Sequence, residues 1–390
     1  MMNKRAGTTA PEMRQPDQAI TVGIAVTAAE KREIYRFRYR IYVEEMAKHI
    51  KGIDHATRLL NDDMDEWGII IYARAGAELI GTARINIGKA AEFSPDVAAF
   101  LSLESFADYF AGQDEERISF ATKIMVQPAY RNSPVFYLLM AKCYELAGSN
   151  RAPFIFGICN CHLIRLYEKL GMHRYYKNFE LPGYGLQAPI IFLVNDIAHL
   201  RTIRSPFYRL ARRQGMLDSR SVKWFHEKFT AYSRFVNSET VTEAELWSLL
   251  SSHLSCSPNE AIALLNELTS IETKKFLHCC ASLIPFEPGN RLTHQGDVSY
   301  AYNILVSGRI RSQTFLRPAK EYGRSGQHFG ANGLTGHQCH REDLDAVESG
   351  EMLILSGLAF QRFYHTHPEI AHKITRRMLA LQRSRYTEQA

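Results

Sequence analysis

The sequence has no apolar run long enough to cross a bilayer and no CxxC cysteine pair. Its longest apolar run, PIIFLV, has the length of a single strand, which argues against a transmembrane helix. The cysteines are odd in number and irregularly spaced, so we expect reduced thiols and no disulfide framework. His337, Cys339 and His340 lie close together in GHQCHRED, but no second ligand pair follows, and we expect no metal.

The beginning of the sequence, MMNKRAGTTAPEMRQPDQ, lacks the apolar segment of a secretion signal. We therefore expect a disordered tail over residues 1–18 and a cytoplasmic protein. Neither a Ser/His/Asp nor a Cys/His arrangement is evident in the sequence. Their absence argues against a covalent enzyme intermediate.

Excess charge of one sign is also scarce, because the net charge of the 390 residues is only +6. It is uneven, since residues 201–228 hold eight Lys or Arg and two acidic residues. Such a segment suits an acidic protein, a membrane surface or nucleic acid, and it equally suits a solvated interdomain helix. The length predicts two or three domains, each with its own core.

The hydrophobic pattern divides the chain into segments of different character. Residues 19–198 alternate short strands with helices, which predicts a mixed α+β domain whose first half is largely antiparallel. Residues 199–275 are mostly helical and form a linker. Residues 276–390 contain short β runs with Gly-rich turns and then a helix, which predicts a small β-barrel or jelly roll with flanking helices.

Two stretches of the first domain resemble the GNAT acyltransferase superfamily. VQPAYRNSPVFYLLM runs from a strand end into a helix, and NCHLIRLYEKLGM is close to that superfamily's Asn-x-x-Ala-x-x-Leu-Tyr-Glu pattern. The resemblance implies a GNAT fold, with Asn160 facing the pantetheine arm and Tyr167 protonating the departing thiolate. It also implies that the donor lies along Val126, Arg131, Asn132 and Ser133.

The phosphate-binding glycines of that superfamily are missing from this sequence. Pro134 removes an N–H donor and Phe136 crowds the approach, so the site is predicted to be poor for coenzyme A. An acyl carrier protein presents pantetheine without the adenosine diphosphate, and it is acidic. The basic segment after Arg201, with Arg131 and Lys142, suits such a partner.

The order RFRYRIYVEEM, DDMDEWG and GTARI resembles the acyl-homoserine-lactone synthases and the related long-chain N-acyl amino acid synthases. Arg38, Asp62, Asp65 and Arg84 match the charged residues of those families. The resemblance implies that the arginines, together with Lys123, bind the acceptor. The lactone synthases typically carry a Glu-x-x-Arg on the strand where this sequence has Phe120 and Lys123, which favours the amino acid synthases.

These residues predict direct attack of an amine on a thioester, without a cofactor. Backbone N–H groups near Met125 and Val126, at a bulge after IMV, are expected to hold the oxyanion. Asp62, Asp65 or a water between them is the expected base, and Tyr167 is the expected acid.

The C-terminal segment resembles the cyclic-nucleotide-binding domain, through LIPFEPGNRLTHQGDVSYAYNILVSGRI and GQHFG. In that family a Glu follows Phe-Gly, and an Arg pairs the cyclic phosphate. Here Gly330 is followed by Ala331, His340 stands in the arginine's place and Arg341 lies one place away. The resemblance therefore implies the fold without cAMP binding. Dimerisation through the helix after Pro368 stays open, and no nucleic-acid partner is expected because no helix-turn-helix follows.

Three functions remain open at this point. The first is N-acyl transfer from acyl carrier protein to an amino acid or similar small amine. The second is an acyl-CoA-dependent GNAT acyltransferase for a small amine or a protein lysine, regulated through the C-terminal domain. The third is a non-catalytic ligand sensor or scaffold.

Overall fold

A computed structural model describes residues 19–48, 50, 53–112, 116–214, 219–231, 235–313 and 318–387. These residues form two β-sheets connected by a helical segment, which confirms the predicted α+β class. The tail predicted for residues 1–18 lies outside the described residues.

The first sheet contains eight strands: β1 Ile20–Ile24, β2 Ile69–Ala75, β3 Glu78–Gly88, β4 Ile118–Val126, β5 Phe154–Asn160, β6 Met172–Arg174, β7 Phe179–Leu181 and β8 Gly185–Leu193. Their order is β1-β2-β3-β4-β5-β8-β6, with β7 paired to β8. All pairs are antiparallel except β4 with β5. That parallel pair covers only two positions, Ser119–Ile155 and Phe120–Phe156, so the two strands separate beyond Phe120 and leave a gap.

Helices cover this sheet: α1 Ala28–Tyr39, α2 Met64–Trp67, α3 Pro95–Phe100, α4 Ala107–Phe110, α5 Val135–Ser149 and α6 Ile164–Leu170. α1 begins after Thr27, which forms a capping box with Glu30, and continues as a π-helix over Arg40–Glu45. α5 begins at Val135, later than the sequence predicted, because Pro128–Tyr130 forms a 3₁₀ turn and Pro134 precedes the helix. α6 ends at Gly171 with a φ of 116°, as its glycine predicted.

The segment predicted as a helical linker contains α7 Ile197–Thr202, α8 Tyr208–Gln214, α9 Arg220–Lys228, α10 Glu243–Leu254, α11 Pro258–Ala261 and α12 Ser270–Cys280. Its helices pack on both domains. Trp224 of α9 contacts Phe106 and Tyr109 with ring centroids 5.2 and 5.1 Å apart. α10 and α12 belong to the core beneath the second sheet.

The second sheet contains β9 Ala281–Phe286, β10 Arg291–Thr293, β11 Ala301–Gln313, β12 Glu321–Tyr322, β13 His328–Phe329 and β14 Asp343–Ser356. All its pairs are antiparallel, and α13 Gly357–Thr366 and α14 Pro368–Thr387 follow it. This small sheet with flanking helices agrees with the predicted jelly roll, and we call residues 281–356 the C-terminal roll. Gly308 has a φ of 83°, and a Cβ there would lie 2.7 Å from the Ser349 carbonyl oxygen.

The C-terminal roll packs directly against the first sheet. Apolar side chains of the two form one continuous core cluster, which includes Ile190 of β8 and Ile354 of β14. Polar contacts also join them: Arg174 Nη1 donates to the Leu283 carbonyl at 2.9 Å, Asn178 Nδ2 to the Pro285 carbonyl at 2.8 Å, and Lys48 Nζ to Asp297 Oδ2 at 2.7 Å.

All seven cysteines are free thiols, as expected. Within the described part of the chain, no three His, Cys, Asp or Glu side chains are grouped as a metal site. No helix among the described residues combines the length and apolarity needed to cross a membrane.

Candidate active site

The structure brings the four charged residues of the lactone-synthase resemblance into one network. Arg38 Nη1 donates to both Asp65 carboxylate oxygens at 2.8 and 2.9 Å. Arg84 Nη1 lies 3.1 Å from Asp65 Oδ1 and also pairs with Asp62, while its Nε donates to Thr122 at 3.1 Å. Asp65 further accepts the backbone N–H of Asp62 at 3.0 Å. The network therefore ties α1 to the turn before α2 and to β3.

Its geometry contradicts the prediction that Arg38 and Arg84 bind the acceptor. The two residues are 0% and 2% exposed, and the guanidinium contacts described above are to the protein's own side chains. Burial lowers the pKa of Arg38, although Asp65 opposes that shift. A substrate carboxylate would need an exposed guanidinium face. Both arginines are therefore positioning residues.

A second, partly open cluster adjoins this network and consists of Asp62, Lys123, Tyr184 and Tyr42. Lys123 Nζ lies 3.1 Å from Asp62 Oδ2 and donates to the Tyr184 hydroxyl at 3.1 Å. Its ammonium lies 5.9 Å from the Tyr42 ring centroid. The Asp62 side chain is 41% exposed, so this cluster, unlike the buried network, is accessible to a ligand.

The acids do not suit the general-base role that was predicted for them. Burial tends to raise the pKa of Asp62, but Lys123 and then Arg84 outweigh it and lower the pKa to about 2. A carboxylate with that pKa is a weak base near neutral pH. Asp65 is 3% exposed, and both its oxygens accept hydrogen bonds. Asp62 can instead orient an amine as a fixed anion.

The backbone of β4 turns one amide into the gap beside β5. Gln127 N donates to the Ile80 carbonyl of β3 at 2.9 Å, and Arg131 Nε donates to the Val126 carbonyl at 3.2 Å. Because N–H directions alternate along a strand, the Val126 N–H faces the gap, whereas the Met125 N–H faces β3. The oxyanion prediction therefore fits Val126 and is wrong for Met125.

The predicted bulge exists, but earlier in the strand. The register between β3 and β4 shifts between Thr82 and Arg84, and Lys123 has a φ of 52°. The bulge thus precedes Met125 and does not follow Val126. Its consequence is to place Lys123 beside Asp62.

Tyr167 lies on α6, buried, with its ring 5.5 Å from that of Phe136 in an edge-on contact. Its hydroxyl has no hydrogen-bond partner among the residues that the structure describes. Burial raises the pKa of Tyr167, and the nearby Cys159 and Tyr42 add to the effect. The phenol therefore stays protonated at neutral pH, as a proton donor must.

The predicted donor residues lie in the turn after β4 and at the end of β5. Arg131 Nη2 pairs with Glu45 at 2.5 Å, and Ser133 Oγ donates to the Tyr130 carbonyl at 2.6 Å. Asn132 is exposed in the same turn. Asn160, at the end of β5, accepts a hydrogen bond from Gln187 Nε2 at 2.8 Å.

In the C-terminal roll, His340 stands at the position where the resemblance to the cyclic-nucleotide-binding domain led us to look for an arginine. Ala331 N donates to His340 Nδ1 at 3.0 Å, and a Cβ on Gly330 would lie 3.0 Å from the same ring. Burial lowers the pKa of His340 to about 4, so the ring is neutral and offers no cation to a phosphate. Arg341 lies on the exposed surface.

Sequence reasoning missed two aromatic members of the site. Tyr42 and Tyr184 contact each other with ring centroids 5.4 Å apart. Tyr42 lies in the π-helical turn after α1, a distortion that is frequent at functional sites but that carried no separate signal in the sequence. Tyr184 lies in the short turn between β7, which was not predicted, and β8.

Residues 37–141 match the family model described as an acetyltransferase (GNAT) domain. No curated protein sequence matches the chain. Among solved structures, it is similar to FeeM, an N-acyl amino acid synthase from uncultured soil microbes, with 13% identity over 49% of this chain and 98% of that one, at a TM-score of 0.39. TofI, solved with an inhibitor and MTA, is 16% identical over 47% of this chain and 96% of that one, at a TM-score of 0.35. A cyclic nucleotide-binding domain from Methylobacillus flagellatus KT is 16% identical over 36% of this chain and 80% of that one, at a TM-score of 0.31.

Proposed function

We propose that the chain is an acyltransferase of the GNAT type, which the family-model match over residues 37–141 supports, and that it transfers a long-chain acyl group from acyl carrier protein to the amine of an amino acid or similar small molecule. One observation carries the proposal. The gap between β4 and β5 has the Val126 amide turned into it and lies beside the turn that leads to α6, where Tyr167 holds a protonated hydroxyl without a partner.

The reaction needs no covalent enzyme intermediate. Asp62 orients the amine, whose lone pair attacks the thioester carbon and forms the C–N bond. The Val126 N–H stabilises the oxyanion. The C–S bond then breaks, Tyr167 gives its proton to the thiolate, and the surplus amine proton leaves through water near Asp62. Tyr167 recovers a proton from solvent.

The surface beside α5 is positively charged, which suits an acidic donor protein. Arg201, Arg209, Arg212 and Arg213 of α7 and α8 are exposed and, among the described residues, make no ion pair. α8 lies next to α5, since Phe207 packs on Tyr137 with ring centroids 5.2 Å apart. Positive charge at this place attracts an acidic carrier protein towards the mouth of the gap.

The test uses purified full-length protein with acyl carrier protein charged with a long-chain acyl group, and the same acyl group on coenzyme A. We expect mass spectrometry to detect N-acyl amino acids with the carrier-protein donor and little product with the coenzyme. Tyr167→Phe should lose most of the activity, and Gln361→Leu, an exposed change on α13, should retain it. Absence of product with every amino acid and both donors would reject the proposal.

A second candidate is a coenzyme A-dependent acyltransferase, which the match to an acetyltransferase family model favours. The same assay with acetyl-coenzyme A and a panel of small amines and lysine peptides tests it. Transfer from the coenzyme at a rate equal to or above that from the carrier protein would establish this alternative.

A further inference from the structure

A cavity lies between the acyltransferase domain and the C-terminal roll. It is partly open to solvent, and its volume is about 100 Å³. One wall comes from the turn after β5 and the start of β8, and the opposite wall from β10, β11 and β14. That volume is several times what one water molecule needs, so a small molecule can enter the cavity.

Polar side chains of the C-terminal roll line this cavity, and some of their hydrogen-bonding groups have no partner among the described residues. Asn303 of β11 is only 8% exposed, and its side-chain amide has no hydrogen bond among the described residues. His340 accepts from the Ala331 N–H through Nδ1, so the neutral ring carries its proton on Nε2, and that nitrogen has no partner either. Buried polar groups of this kind are normally satisfied, so a molecule that occupies the cavity is expected to bond them.

The charges of the cavity define what it accepts. Lys48 is 9% exposed, and Asp297 holds its ammonium at 2.7 Å across the domain boundary. The ammonium has three donors, which leaves two for a ligand. With Asn303 and His340, it forms a set of donors suited to a carboxylate, while Leu292 and Met352 supply apolar surface.

The cavity adjoins the candidate active site through two residues that line it. Asn160, at the end of β5, and Tyr184 both line it. The hydroxyl of Tyr184 accepts from Lys123, which is paired with Asp62. A ligand that spans the cavity therefore has one end at the roll and the other beside the gap between β4 and β5.

We propose that this interdomain cavity is the acceptor site: the α-carboxylate of a free amino acid binds Lys48, Asn303 and His340, and its amine points towards Asn160 and Tyr184. The inference rests on the proposed function and adds to it the role of the roll, which completes the active site. The substrate class is an amino acid with a free carboxylate, and its amide derivative should be excluded.

The test measures binding to the full-length protein by isothermal titration, with each proteinogenic amino acid and with the amide of the tightest binder. We expect one or more amino acids to bind and the amide to bind at least about 10-fold more weakly, because the carboxylate is lost. Asn303→Leu keeps the volume and removes the amide, so affinity should fall about 10- to 100-fold. Gln361→Leu makes a similar change on the exposed face of α13 and should bind as the wild type does.

Asn303→Asp is the second variant, because it keeps the shape of the side chain and repels a carboxylate. It should abolish binding while the protein unfolds at a temperature close to that of wild type. Acyl transfer with an unchanged acceptor KM in both Asn303 variants would overturn this inference and leave the proposed function standing. Amino acid binding that depends on Asn303, without acyl transfer, would support the site and reject the proposed function.

Discussion

Substitutions in the Arg38–Asp65 ion pair can distinguish a positioning role of Arg38 from a substrate-binding role, because the two residues have different numbers of partners. Among the described residues Arg38 forms an ion pair with Asp65 alone, whereas Asp65 also pairs with Arg84 and accepts the Asp62 N–H. Asp65→Asn therefore leaves Arg38 buried without a counter-charge. Arg38→Met leaves Asp65 paired with Arg84 and removes a fully buried cation.

The expected magnitudes follow from that asymmetry. Leaving a buried charge unpaired costs about 3–5 kcal/mol of unfolding free energy, so Asp65→Asn should be strongly destabilising. Arg38→Met should cost only about 1 kcal/mol, because the apolar side chain fills the space and Asp65 keeps two partners. In the double variant the cost of Asp65→Asn should fall substantially, since no buried guanidinium at position 38 remains.

Urea denaturation followed by tryptophan fluorescence measures these differences, and acceptor KM is measured on the folded variants. Trp67 lies next to Asp65 in α2, so its fluorescence reports on this domain. The reasoning fails if Arg38→Met is as destabilising as Asp65→Asn. It also fails if Arg38→Met leaves stability intact and raises the acceptor KM, which would restore the substrate-binding role.

Three further predictions concern the proton donor, pH and the donor surface. Tyr167→Phe should lower kcat about 10²- to 10⁴-fold with unchanged thermal stability, because its hydroxyl has no hydrogen bond to lose among the described residues; an unchanged kcat would remove Tyr167 from the reaction. The pKa of His340 is lowered to about 4 from 6.5, so its contribution to stability is complete above about pH 6.5 and is lost as pH falls towards 4, and His340→Asn should flatten that part of a urea-midpoint profile. Reversing charge at Arg209 and Arg212 should raise the KM for the acylated carrier protein and weaken its increase with salt, but it should leave the KM for acyl-coenzyme A unchanged; equal effects on both donors would argue against a docking surface.

The sequence predicted which residues form the charged network, but it did not predict how deeply each of them is buried. Three arginines alternate with apolar residues over residues 36–40, at the end of α1 and the start of the π-helix that follows it. Arg36 and Arg40 are exposed, whereas Arg38 is fully buried. Helical periodicity alone does not decide this, because the partner of Arg38 lies 27 residues away.

The same limit explains why the cavity between the domains was not predicted. Lys48 and Asp297 are separated by 249 positions, and only Asp297 lies in a stretch that carries a family resemblance. Local patterns gave the strands, the helices and the cyclic-nucleotide-binding-like fold. They contain no information on which face of the roll meets the acyltransferase domain, since that depends on surfaces far apart in the sequence.

The side of the cavity that the C-terminal roll forms is polar. His340 is neutral at physiological pH and therefore offers no cation to a phosphate in this interior. The Asn303 side chain lines the cavity and makes no hydrogen bond among the described residues, although its strand pairs with the apolar strand β14. An apolar residue at position 303 would need no hydrogen-bond partner. The polar side chain is therefore consistent with the proposed ligand, and Asn160 and Tyr184 line the same cavity on the side of the candidate active site.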